Sequence, residues 1–144
     1  MPILSAGAPA PMFQGINLTG PEINLENYKG NKAVVLVFAP DRVDPSATNL
    51  VKALYLKHRE KIELIVVSRK VPGIAMAKAF LQGLGVTFPT LYDPAQGVYK
   101  AYGVENPVAV FIIDANGAIV FSAQSDPAKV DLQTLADAIA AHVK

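Results

Sequence analysis

Thiols, imidazoles, carboxylates and hydroxyls at the junction between a strand and a helix are the usual raw material of a reactive site. This chain of 144 residues supplies few of them: it has two histidines and no cysteine. Without sulfur of that kind there is no thiolate nucleophile, no resolving thiol, no disulfide and no cysteinyl metal site. The stretch best placed for chemistry is Pro40, Arg42, Val43, Asp44, Pro45, Ser46 and Ala47, directly after the apolar run Ala33 to Ala39. Free amides and the dipole of a helix starting there favour an anion or a thiolate. Asp44 has the chemistry of a general acid or base, yet its place before Pro45 is fully explained by a helix cap, with proline at the first helical position. Ser46 needs a base to act as a nucleophile. His58 lies twelve residues further along the same expected helix, which is roughly 18 Å at ~1.5 Å per residue, and His142 sits among apolar neighbours near the C-terminus, so no hydrolytic dyad is expected. Arg42 and Arg69 follow the ends of neighbouring expected strands. With amides near Ser46 and Ala47 they form a candidate pocket for a small anion; as solvated surface arginines they need no ligand. No carboxylate cluster suits a metal, and neither a metal nor a cofactor is expected.

The elements that must position these residues are legible from periodicity. Ala33 to Ala39 is apolar throughout and rich in β-branched residues, the signature of a central strand covered on both faces. A helix from Pro45 to about Lys57 presents Leu50, Ala53 and Leu54 on one side. Glu63 to Ser68 is a second apolar strand, so strand, helix and strand imply a right-handed parallel crossover. Pro72 and Gly73 precede a helix over Ile74 to Leu81, ended by Gly83 and Gly85, with Ile74, Ala77 and Leu81 as its buried face. Val108 to Asp114, the tight turn Asp114 to Gly117 and Ala118 to Ser122 read as an antiparallel pair. Leu132, Leu135, Ala136, Ile139 and Val143 mark a C-terminal helix capped by Asp126 or Asp131. Near the start, Ile16 to Leu18 and Glu22 to Leu25 flank Thr19, Gly20 and Pro21 as a small hairpin.

At the strand–loop–helix stretch the sequence resembles the active-site segment of the peroxiredoxins, P-x-x-x-T-x-x-C, particularly the bacterioferritin-comigratory type. Pro40 matches; Asp44 stands at the threonine and Ala47 at the peroxide-reducing cysteine. Read against thioredoxin-like proteins and their W-C-x-x-C motif, the cysteine positions fall on Val43 and Ser46. The resemblance extends along the chain: Gly7, Ala10, Pro11, Phe13, Leu18, Gly20, Leu25, Tyr28, Lys29 and Gly30 match the family's opening. Phe88, Pro89 and Asp93, then Tyr102, Gly103 and Val104, match its later segments. The peroxiredoxin arginine of "R-x-x-F-I-I-D" aligns with Val108. The cis-proline of thioredoxin-like proteins has a near counterpart in Pro107, one residue early, which makes Asn106–Pro107 a candidate cis bond.

The resemblance implies an α/β, thioredoxin-like fold: a central mixed β-sheet flanked by helices, with an N-terminal β-hairpin, in a single domain spanning 1–144. It also implies thiol peroxidase or thiol–disulfide oxidoreductase activity, which a chain without cysteine cannot perform. The expected function is therefore a redox-inactive family member that binds a protein partner or a second copy of itself. The other reading is an enzyme of this class whose cysteines have been replaced. A net charge of +1 gives no reason to expect nucleic acid or a membrane surface as a partner, and no basic patch is clustered in the sequence. No signal peptide or membrane-spanning run is read from the sequence, so a soluble, cytoplasmic protein is the expectation.

Overall fold

A computed structural model describes residues 4, 6–28, 30, 32–38, 52, 53, 55–57, 60–68, 73–83, 85, 88–93, 96–104, 108–125, 137 and 141. Its centre is a seven-stranded sheet in the order β2-β1-β5-β4-β3-β6-β7. The strands are β1 (Gln14–Asn17), β2 (Ile23–Asn24), β3 (Ala33–Phe38), β4 (Ile62–Ser68), β5 (Thr90–Tyr92), β6 (Val108–Ile113) and β7 (Ile119–Ser125). The apolar run expected at mid-sheet is β3, parallel to β4 on one side and antiparallel to β6 on the other. Such a strand has no solvent face, and its side chains divide by the two-residue period. Val34, Leu36 and Phe38 enter one core with Ile65, Val67, Phe111 and Tyr102. Val35 and Val37 enter a second core with Ile62, Leu64, Val110 and Ile112.

The expected parallel crossover from β3 to β4 is present, and described residues 52, 53 and 55–57 between them are helical. The start of that helix, with Leu50 and Leu54, lies outside the described residues, as do the expected C-terminal stripe and its caps; of that helix, Asp137 and Ala141 are described and helical. The β6–β7 pair is antiparallel as expected, with Asp114 organising its turn. The Asp114 carboxylate accepts from the amides of Asn116 and Ala118, and Gly117 takes the positive φ of 88° that closes the turn. Residues 7–10 run beside that turn. The amides of Gly7 and Ala10 donate to the carbonyls of Ile119 and Gly117, and that of Ile119 donates to Ala8.

Two expectations need correction. The N-terminal hairpin pairs Gln14 with Asn24 and Gly15 with Ile23, not Ile16–Leu18 with Glu22–Leu25. Ile16 and Asn17 are instead paired with β5, opposite Tyr92 and Leu91, while Leu25 opens a 3-10 helix over Leu25–Tyr28. Asn17 causes the shift: its buried side-chain oxygen accepts from the amides of Thr19 and Thr90, fastening the bend to β5. Strand β5 itself, three residues long and starting directly after Pro89, is too short to carry a periodic signal. In the helix Ile74–Gly83, Ala77 is buried and Leu81 packs on the second core, but Ile74 is exposed. Angular position puts a side chain on the right face; burial also requires an element opposite it. No helix among the described residues is long and apolar enough to cross a membrane.

Candidate functional site

Pairing registers place one end of four strands together. Phe38 lies opposite Val67 on β4 and Ala109 on β6, and Val67 and Ser68 lie opposite Leu91 and Tyr92 on β5. β3, β4 and β5 therefore finish where β6 begins, the end of an open α/β sheet at which ligands bind. The sequence candidates border this edge along the chain. Pro40 follows Phe38 by two residues, Arg69 follows Ser68 directly, and Pro107 directly precedes Val108. Pro40, Arg42, Val43, Asp44, Ser46, Ala47, Arg69 and Pro107 lie outside the described residues, so the anion pocket and the candidate cis bond do as well. The backbone of Val108 opens β6 opposite Ser125.

Beneath that edge the described residues form a closed aromatic floor. Phe38 meets Tyr99 edge-on at 4.8 Å between ring centres, and lies 5.6 Å from Phe111 and 5.7 Å from Tyr102. Tyr102 and Phe111 are 5.0 Å apart, also edge-on. Such perpendicular contacts set the positive edge of one ring against the negative face of the next. Both phenols donate to backbone carbonyls, Tyr99 to Val67 at 3.1 Å and Tyr102 to Pro11 at 2.8 Å. Burial pushes the Tyr102 hydroxyl well above the usual tyrosine range. It is a fixed neutral donor at ordinary pH and holds the floor to the N-terminal arm.

The carboxylate that organises this edge is one the sequence showed only as a family match, with no role attached. Asp93 directly follows β5 and is buried. Its two oxygens accept from the amides of Gly97 at 3.1 Å, Val98 at 2.9 Å and Tyr99 at 3.2 Å, and its own amide donates to Ser68 at 2.7 Å. These bonds satisfy the orphan donors at the start of the short helix Gly97–Ala101 and so place Tyr99 against Phe38. The available signal was an aspartate a few residues ahead of an apolar helical turn. The helix ends on a Schellman motif. Gly103 at φ 71° donates to Lys100, and Val104 donates to Tyr99. The Tyr102-Gly103-Val104 segment is thus a backbone device that turns Tyr102 inward.

The described part of the edge offers hydrogen-bonded scaffolding and apolar floor. The Asp93 carboxylate is engaged with amides and the Tyr99 and Tyr102 phenols with carbonyls. Among the described residues no group of three histidine, aspartate or glutamate side chains is arranged to hold a metal ion.

Comparison with known proteins adds three findings. The AhpC/TSA family profile matches residues 6–122. The chain is 31% identical over 133 residues to the thiol-disulfide oxidoreductase ResA of Bacillus thuringiensis strain Al Hakam, covering 90% of this chain and 76% of that relative. It is also 31% identical over 150 residues to alkyl hydroperoxide reductase E of Mycobacterium bovis, covering 96% and 98%. Among solved structures, the reduced 2-Cys peroxiredoxin of Plasmodium vivax superposes with a TM-score of 0.80 at 25% identity, over 96% of each chain. AhpC of Mycobacterium tuberculosis gives the same TM-score at 22% identity, over 97% of this chain and 98% of that one, a likeness of fold alone.

Proposed function

Because the chain belongs to the AhpC/TSA family and yet contains no cysteine, we propose that it is a family member without thiol chemistry, acting as a binding or interaction module. The missing cysteine carries this reading. Peroxide reduction and disulfide exchange in thiol enzymes both begin with attack by a thiolate, and no residue here can supply one. The aligned arginine is absent too, being Val108 in this chain, so the charge that would favour a thiolate is lost together with the sulfur. Loss of both partners is what relaxed selection on a disused site would leave.

The test compares peroxide consumption with a thiol reductant for this chain and for a double variant carrying Ala47→Cys and Val108→Arg. The expected result is a silent parent and measurable turnover in the variant. A parent that turns over peroxide above its heat-denatured control overturns the reading and demands a non-thiol mechanism. Sedimentation velocity over a concentration series, together with capture of partners from the source cells, tests the interaction half. A chain that stays monomeric and captures nothing specific refutes that half. The names of the relatives favour a second reading, a thiol peroxidase or thiol–disulfide oxidoreductase whose cysteines have been replaced. The coding sequence at positions 43, 46 and 47 in the source genome decides between them: cysteine codons there establish the second.

A further inference from the structure

With no cysteine, all the sulfur in this chain is thioether, carried by three methionines. The two whose placement the structure describes differ sharply. Met76 is in the first turn of the helix Ile74–Gly83, 66% exposed, and belongs to neither core. Met12 is 43% exposed and lines a small cavity with Leu25, Tyr28, Val34, Ile113, Asp114 and Gly117. We propose that Met76 is a peroxide-sensitive modification site, oxidised to the sulfoxide in the folded chain ahead of Met12.

The chemistry needs no residue beyond the thioether. A sulfur lone pair attacks one oxygen of hydrogen peroxide; the O–O bond breaks as the S–O bond forms, and the proton of the transferred oxygen passes to the departing one, which leaves as water. Sulfur loses two electrons and the peroxide gains them, so the oxidant is the peroxide itself. The rate follows access of the sulfur to solvent, because the departing oxygen must be hydrated as it takes up charge. Met76 meets that condition and Met12 meets it only in part. The outcomes differ as well. A sulfoxide at Met76 makes an exposed apolar side chain polar and leaves both cores untouched. A sulfoxide at Met12 brings a strong dipole to a cavity wall that is mostly apolar and also holds Asp114, and costs stability. The inference concerns a different part of the chain from the lost thiol site and does not depend on the proposed interaction role.

The experiment exposes the full chain to hydrogen peroxide, quenches at partial conversion, and maps the added oxygen by peptide mass spectrometry, once in buffer and once in unfolding urea. Met76 sulfoxide should accumulate several-fold faster than Met12 sulfoxide in buffer, and at a matching rate in urea. If Met12 keeps pace in the folded chain, or if the bias persists in urea, the site is not made by the fold and the proposal fails. A second readout is the melting temperature of Met76→Gln, which imitates the polarity of the sulfoxide. It should coincide with that of the parent, and a marked drop would show that Met76 is structural.

Discussion

Asp93 and Tyr102 show how much of this fold hangs on single polar atoms placed under apolar cover. Asp93 satisfies three amides of one helix start, and removing a buried acceptor leaves those donors desolvated and unpaired. Asp93→Ala should therefore lower unfolding free energy by ~1–3 kcal/mol, read from the urea midpoint, while Asp93→Asn, which keeps one oxygen, should lose less. Tyr102→Phe removes only the hydroxyl bond to Pro11 and keeps the ring contacts, so a loss of about 1 kcal/mol is expected. The same hydroxyl sets a pH dependence. Burial raises the Tyr102 pKa from its ordinary 10.0. The unfolded chain therefore releases that proton at a lower pH than the folded one and binds fewer protons above pH 10. Stability from this group is complete below that pH and falls as pH climbs beyond it. Urea midpoints between pH 9 and 11 should decline on the alkaline side for the parent and decline less for Tyr102→Phe; equal slopes would remove Tyr102 as the cause.

At the scale of elements, the short helix Gly97–Ala101 matters more than its length suggests. A helix this short has little stability of its own. It is held by Asp93 at one end and the Schellman motif at the other, and between them they fix Tyr99 and Tyr102 against Phe38. Gly103 adopts φ 71°, where a Cβ costs roughly 1–2 kcal/mol. Gly103→Ala should destabilise by about that amount, seen in the denaturation midpoint. The aromatic floor should loosen with it, seen in the near-ultraviolet circular dichroism. The hairpin teaches a related point. Thr19-Gly20-Pro21 has turn chemistry, and the chain does bend there, but the partner of Ile16 and Asn17 is β5. Turn residues mark a reversal without choosing which strand pairs across it.

For the molecule as a whole, the sheet separates two cores, and both must be filled for β3 to be stable. Leu36 belongs to the aromatic side and Leu64 to the other, and both are fully buried. Leu36→Ala and Leu64→Ala should each cost ~2–5 kcal/mol in denaturation experiments. Tolerance at one of them would mean that its face of the sheet is not covered as described. The sequence alone determined the central strand, the parallel crossover to β4, the β6–β7 hairpin and the family. It did so because an unbroken apolar β-branched run has one stable environment and an Asp-x-x-Gly turn one stable geometry. It also determined that thiol chemistry is closed, since that follows from a count of residue types. Tertiary structure decided what depends on a distant partner: the pairing of β1 with β5, the existence of so short a strand as β5, the exposure of Ile74, and the binding of Asp93 to three amides. The β1–β5 and β4–β5 pairings join segments far apart in the chain, whose energy is absent until both are in place, while the exposure of Ile74 and the bonds of Asp93 to residues four to six further on depend on how the sheet places those local segments.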